Sequence, residues 1–214
     1  MTVSQPARKV TIGADRLRPW IEGFAVRHGE PQAAVEGDEV QLMSPDGARA
    51  LIAVPFPPLL LEGDVVDSLI GHVLRERRVA AVLVRKGGFA VGVFEGRRLV
   101  ASKVGSSYVQ GRTKAGGWSQ QRYARRRDNQ SKKAYAQAAD EAVRLLAPQA
   151  GRLAAVVAGG DQSAIAAVFD DQRLSELADL LAPKIYPVPD PRLRVLQAFA
   201  GQFLTVEIQL NEHA

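Results

Sequence analysis

The 214-residue sequence predicts an α/β protein built around a mixed sheet, with a small α+β unit at its N-terminus. Three observations carry this. Three strand-like runs between Val79 and Val104 are joined by short Gly-containing connections, which specifies an antiparallel meander. A helical stretch of more than twenty residues follows, from about Gln120 to Leu146. Beyond it strands and helices alternate to the C-terminus, the pattern of parallel pairing.

Taken in order, about ten N-terminal residues are expected to be loose. Asp15 is then placed to cap a short helix with Leu17, Trp20, Ile21 and Phe24 on one stripe, ending near Gly29. Pro19 is tolerated in its first turn. Val40–Leu42 and Ala48–Val54 flank Ser44-Pro45-Asp46-Gly47, a tight-turn sequence, so they form a hairpin, and Phe56-Pro57-Pro58 is a rigid exit. These elements make a first domain over residues 1–60, with a second over 61–214. Asp64 caps the next helix, with Asp67 three positions on and Val66, Leu69, Ile70, Val73 and Leu74 at helical spacing, ending at the basic cluster Arg75 to Arg78. The meander comprises Val79–Arg85, Phe89–Phe94 and Leu99–Val104.

From Gly105 to Ser119 periodicity gives way to small and polar residues, which reads as a mobile loop of a length that is often functional. In the long helix, Tyr135, Ala138, Ala139, Ala142, Val143 and Leu146 form an apolar stripe, whereas the first half is polar nearly all round. Leu153–Ala158 is a buried strand, and Asp161 after Gly159-Gly160 is placed to cap a helix carrying Ile165, Val168 and Phe169. A helical stretch through Leu174, Leu177, Leu180 and Leu181 is expected to stop at Pro183. Ile185–Val188 is a strand, Asp190-Pro191 starts a helix, and Phe203–Leu210 alternates as a last strand. A meander, a helix and β-α-β steps are the element order of RNase H-like folds.

Composition limits the chemistry. The absence of cysteine excludes disulfides, thiol catalysis, iron–sulfur clusters and Cys-based zinc sites. His28, His72 and His213 lie in different segments without ligand spacing, so neither a metal nor another cofactor is implied. The apolar stretch Leu51–Leu61 is interrupted by three prolines and is shorter than the roughly 20 residues of a membrane helix. Met1–Val10 lacks the apolar core of a secretory signal, and a cytoplasmic, soluble protein without membrane partners is expected, most simply a monomer. Eight of the 28 basic residues but one of the 23 acids lie between Gly111 and Lys133, so that stretch carries +7 and the remainder −2. The basic character is local.

That stretch holds the chemistry. Gly116-Gly117 lets the backbone approach a ligand closely because no Cβ intervenes. Trp118 and Ser119 lead to Gln120 and Gln121 at the start of a basic helix, whose charge and N-terminal dipole both favour anions. The arrangement would place a neutral amide against a nucleic-acid backbone.

The run Lys114-Ala-Gly-Gly-Trp-Ser-Gln-Gln-Arg-Tyr-Ala-Arg-Arg-Arg127 resembles the catalytic loop and following helix of the Vms-like and Ankzf-like release factors, in an actinobacterial-style short form. Those proteins are related to the central domain of the eukaryotic class-I release factor, with its RNase H-like fold and Gly-Gly-Gln tip. The resemblance covers roughly residues 65–190 and implies peptidyl-tRNA hydrolysis on stalled large ribosomal subunits. It implies Gln120 as the catalytic glutamine, with Gln121 as the alternative register, because Trp118-Ser119 separate Gly117 from Gln120 where relatives have one or two residues. Gly116, Gly117 and Ser119 complete the catalytic tip. Arg122, Arg125, Arg126, Arg127, Lys132 and Lys133 would meet tRNA or rRNA phosphates, Arg112 and Lys114 would anchor the loop base, and Trp118 would stack on a base. A zinc finger, ankyrin repeats and an ATPase-recruiting segment have no counterpart here, so the eukaryotic extraction role does not transfer.

The residues also admit plainer readings: a solvated charged face, an ordinary glycine loop, a partly buried tryptophan anchor, and a glutamine that caps backbone groups. Gly159-Gly160-Asp161 lacks a phosphate-loop motif and reads better as a helix cap. Among rival functions, a metal nuclease needs clustered carboxylates, and the first meander strand has none. A non-catalytic RNA- or ribosome-binding module is the main alternative, and cleavage of the tRNA end would leave a shortened tRNA.

Overall fold

A computed structural model describes the backbone of residues 8–106 and 119–214, and the side chains of 8–106 and 132–214. Contacts divide the chain into two units, one of residues 1–75 with 203–214 and one of 76–202.

The first unit is an antiparallel five-stranded sheet in the order β1-β10-β4-β3-β2. Its strands are β1 (Arg8–Gly13), β2 (Gln32–Glu36), β3 (Glu39–Met43), β4 (Arg49–Ala53) and β10 (Thr205–Leu210). Val40, Leu42, Ala50, Ile52, Val206, Ile208 and Leu210 alternate onto one buried face. Helix α1 (Leu17–His28) adds Leu17, Ile21 and Phe24 to that core, and α2 (Val65–Leu74) adds Leu69 and Ile70. The Asp64 carboxylate accepts from the N–H groups of Val66 and Asp67, the cap expected for α2. The hairpin turn closes as expected, with the Ala48 N–H donating to Asp46 at 3.0 Å and His28 Nδ1 2.8 Å from the same carboxylate, and these two bonds lower the Asp46 pKa.

Four expectations change here. Residues 8–10 are paired in β1 and not loose, because β10 offers them an antiparallel partner. Asp15 lies in a 3-10 turn ahead of α1 and makes no capping bond. Strand β2, unread in the sequence, pairs with β3 across Gly37-Asp38. The last strand and α2 belong to this unit, whereas the sequence reading began a second domain at residue 61, since β10 pairs with β1 and β4 at the other end of the chain.

The second unit carries the mixed sheet that the strand pattern predicts. Its order is β7-β6-β5-β8-β9, with strands β5 (Arg78–Arg85), β6 (Gly88–Glu95), β7 (Arg98–Ser106), β8 (Ala155–Gly160) and β9 (Leu181–Tyr186). β5, β6 and β7 form the antiparallel meander, while β8 runs parallel to β5, and β9 to β8. Leu181 opens β9 and does not extend a helix: the short α5 (Ser175–Ala178) ends earlier, and Pro183 is accommodated because β9 is an edge strand.

Alternation splits the sheet into two faces. Ala80, Val82, Val84, Val91, Val93, Val156 and Ala158 face a core shared with α3 (Ser119–Leu146) and α4 (Gln162–Phe169). On the other face a Cβ at Gly92 would stand 2.9 Å from Leu196 of α6 (Leu193–Phe203), and Phe199 meets Tyr186 edge-on with ring centroids 5.5 Å apart.

Two glycines fix one end of this sheet. Gly160 has φ +112°, and a Cβ there would run into the Val84 carbonyl. A Cβ on Gly105 would run into the Phe89 ring, which leaves no room for a side chain. Gly160→Ala is expected to cost about 2–4 kcal/mol in urea unfolding, since steric conflict adds to φ strain of about 1–3 kcal/mol. Gly151→Ala, where a Cβ meets nothing within 4 Å, should stay within about 0.5 kcal/mol.

Candidate functional site

The strand registers bring one set of ends together. Arg85 pairs with Gly88 across the β5–β6 turn, Gly88 with Ser106 at the end of β7, and Val84 with Gly160 at the end of β8. Segment 107–118 therefore leaves the sheet at the end where α4 begins. Arg112, Lys114, Gly116, Gly117 and Trp118 lie in that segment, outside the described residues.

Helix α3 returns the chain along the sheet to the start of β8, and 28 residues at 1.5 Å each make it about 42 Å long. Its C-terminal half is seated by small residues. Ala134, Ala138, Ala139 and Ala142 are buried with Leu146, and the absence of bulk lets the helix lie close on β6 and β7. Ion pairs hold the flanks: Arg173, in the turn before α5, reaches Asp140 at 2.7 Å, and Arg144 and Lys103 approach Glu141 at 2.7 and 3.9 Å. At the far end Gln149 accepts a 3.1 Å bond from Arg78 Nε and donates to the Leu145 carbonyl.

The N-terminal half of α3 carries the other site residues predicted from sequence. Ser119, Gln120, Gln121, Arg122, Arg125, Arg126 and Arg127 occupy its first turns, with side chains outside the described residues. Lys132 and Lys133 are exposed. The helical rise carries Gln120 about 21 Å along the axis from Ala134, the first buried side chain described on α3. Helix start and apolar stripe thus fall where periodicity puts them.

Asp161 behaves otherwise than as a cap. It stands at the N-cap of α4, but its carboxylate makes no capping bond. It lies 3.5 Å from Arg85 Nε and accepts from the Lys86 N–H at 3.3 Å, while Arg85 also donates to the Val188 carbonyl at 3.2 Å. The carboxylate thus ties the β5–β6 turn to the β8–α4 connection, a role invisible in sequence because the partners are 75 residues apart. Among the described residues no group of three or more His, Asp or Glu is placed to hold a metal, and no helix is long and apolar enough to cross a membrane.

Residues 77–209 match the family model described as the Actinobacteria/chloroflexi VLRF1 release factor. The chain belongs to this release-factor family. The match encloses the meander, segment 107–118 and all of α3, so the resemblance carried by Lys114–Arg127 holds at family level and extends past residue 190. No curated protein matches the chain. Among solved structures, the chain is similar to an archaeal translation termination factor, aRF1, with 18% identity and a TM-score of 0.41 over 75% of this chain and 49% of that one. It is also similar to S. cerevisiae Dom34, described as a translation termination-like factor involved in RNA quality control and interacting with Hbs1. There the identity is 8% and the TM-score 0.38, over 95% of this chain and 67% of the other. The release-factor chain spans about half the length of the archaeal proteins it matches.

The Arg173 anchor gives a pH signature. Hydrogen bonds from Arg173 lower the Asp171 pKa to about 2, and Arg173 itself is raised by the same contacts and by Asp140. A depressed carboxylate stabilises the fold above its unfolded pKa, about 3.9, and loses that contribution as pH falls toward 2. NMR titration should return Asp171 toward its ordinary value in Arg173→Gln, and the stability difference between the two proteins should shrink between pH 4 and 2.

Proposed function

We propose that this release factor hydrolyses the ester between a nascent peptide and tRNA on large ribosomal subunits, with Gln120 as the catalytic glutamine and Gln121 as the alternative register. The observation that carries the reading is the family match, which encloses both glutamines and the basic half of α3. Gly116 and Gly117 would give the tip its close approach, and Ser119 opens the helix beside Gln120. Segment 107–118 supplies no titratable acid or base of near-neutral pKa, and a glutamine amide does not titrate, so the amide acts by position. It orients a water whose oxygen bonds to the ester carbonyl, while a backbone N–H donates to the developing oxyanion. The bond to the ribose oxygen then breaks, the water proton passes to that oxygen through the neighbouring ribose hydroxyl, and a free peptide acid and intact tRNA leave.

Charge supports the RNA side of this proposal. On a 3.6-residue period, positions 122, 126 and 133 fall on the side of α3 opposite positions 138 and 142, which carry buried alanines. Arg122, Arg126 and Lys133 thus occupy one line of positions along the helix, and Arg125, Arg127 and Lys132 belong to the same basic stretch. Phosphates are the partner for such a stripe. With these residues the protein would act in the cytoplasm on peptidyl-tRNA and rRNA without a cofactor.

Two measurements test the reading. Wild-type protein should release labelled peptide from peptidyl-tRNA on large-subunit complexes and leave tRNA full length, and Gln120→Ala should lower that rate at least about 100-fold with binding retained. Loss in Gln121→Ala alone would move the register by one, and binding without release in wild type would leave an RNA-binding module. Joint Lys132→Glu and Lys133→Glu substitution should weaken subunit binding and reduce the slope of log affinity against log salt by about 2.

A further inference from the structure

The two units differ in charge. The first, residues 1–75 with 203–214, carries seven Lys and Arg against twelve Asp and Glu, a net −5, whereas the second carries 21 against 11, a net +10. A surface of the first sign repels a phosphate backbone. The acids of the first unit crowd one stretch, since between His28 and Arg49 there are five of them and no lysine or arginine. Asp46 is bonded to His28, but Glu30, Glu36, Asp38 and Glu39 make no ion pair among the described residues.

These acids flank β2, and β2 is an open sheet edge. Edges invite further pairing, and are ordinarily guarded by lysine, proline or bulges. Of the edge strands described, β9 contains Pro183 and Lys184, β7 contains Arg98 and Lys103, and β1 contains Arg8 and Lys9. β2 contains neither proline nor a base, and it pairs with β3 residue for residue without a bulge. Because Gly37-Asp38 closes the hairpin, Glu36 and Glu39 exchange both backbone bonds, and Ala34 with Gln41 and Gln32 with Met43 follow by alternation. The N–H and C=O groups of Ala33 and Val35 therefore point away from β3, with no backbone partner among the described residues. On one face Ala33 and Val35 are half-buried against the core beside α2, whose Val66 and Val73 are half-buried too. On the other, Glu36 stands directly opposite Glu39, a like-charge pair that costs stability unless a cation lies beside it.

We propose that β2 receives an extended segment of another protein as a sixth strand, a segment in which bases alternate with apolar residues. Backbone bonds to Ala33 and Val35 supply the pairing, apolar side chains cover Ala33, Val35 and the flank of α2, and bases on the opposite face meet Glu36 and Glu39. Charge selects this occupant. RNA is repelled, and a second copy of β2 brings the same acids: in a two-fold pairing about Ala34, Glu30 of each copy falls opposite Asp38 of the other. The inference stands on the first unit alone and does not depend on the peptide-release reading.

The test titrates the full chain into a fluorescently labelled, end-capped peptide, Lys-Val-Lys-Val-Lys-Val-Lys, and follows anisotropy, beside the same residues rearranged as Val-Val-Val-Lys-Lys-Lys-Lys. The alternating peptide should bind at least about tenfold more tightly than the rearranged one, and it should slow hydrogen exchange at the Ala33 and Val35 amides. Ala33→Pro removes one outward N–H and leaves the β2–β3 ladder intact, and should weaken binding about five- to tenfold. Joint Glu30→Lys and Glu36→Lys substitution, at two exposed positions, should weaken it by about as much. Absence of binding, equal binding of the two peptides, or unchanged exchange at Ala33 and Val35 overturns the proposal. Undiminished binding by Ala33→Pro with a native circular dichroism spectrum overturns it too, because the contact is then charge without strand pairing. Should that variant unfold, the exchange measurement on the wild-type chain decides by itself.

Discussion

The seating of α3 on the second sheet is the constraint from which the arrangement follows. A helix with a full apolar stripe packs along its whole length, and one with none does not pack. This helix is divided: alanines at 134, 138, 139 and 142 with Leu146 bury one half, and the other half carries arginines and lysines. Small side chains allow close approach to β6 and β7, and the ion pairs of Asp140 and Glu141 fix the rotation at the helix flanks. Because α3 must deliver the chain to the start of β8, its basic half is committed to the end of the sheet where segment 107–118 emerges. Packing at one end thereby positions charge about 21 Å away at the other.

That same sheet end is narrowed by glycines. Gly105 accepts the Phe89 ring, and Gly160 turns the chain over the Val84 carbonyl. These contacts close the sheet with backbone where side chains would otherwise protrude, and Asp161 then staples the two connections through Arg85 and Lys86. The strand ends from which β7 and β8 lead are thereby tied to one another through backbone and one carboxylate.

Much of this was legible in the sequence, and the failures have a common cause. The meander, the start of α3 and its alanine stripe follow from local periodicity and Gly-containing turns, so local reasoning found them. The release-factor motif Lys114–Arg127 is likewise contiguous. What escaped depends on distant partners: β1 and β10 pair across some 200 residues, and β10 therefore belongs to the first unit despite following α6 directly. Asp161 sits in a good cap position, yet its carboxylate is drawn to Arg85 and Lys86, which are near only after β5 and β8 pair. Likewise, Pro183 reads as the end of a helix in sequence, but it lies in β9, an edge strand, where proline is tolerated.

The charge on α3 runs against the rules that stabilise an isolated helix. Cations are disfavoured near a helix N-terminus by the macrodipole, and like charges three or four residues apart, such as Arg122 with Arg125 and Arg126, each cost about 0.2–0.5 kcal/mol. No acid occupies the first turn, and Asp128 is the one acid in a stretch with +7. The acids that would relieve this, Asp140 and Glu141, stand in the packed half and are already paired. A sequence selected for stability alone would distribute these charges the other way along the helix. A polyanion bound along the basic half cancels the repulsion and the unfavourable dipole term together, so binding and helix stability are thermodynamically linked. Under the proposed reading, such local violation, borne by a helix whose other half is packed to hold it, is what a surface that meets a phosphate backbone requires.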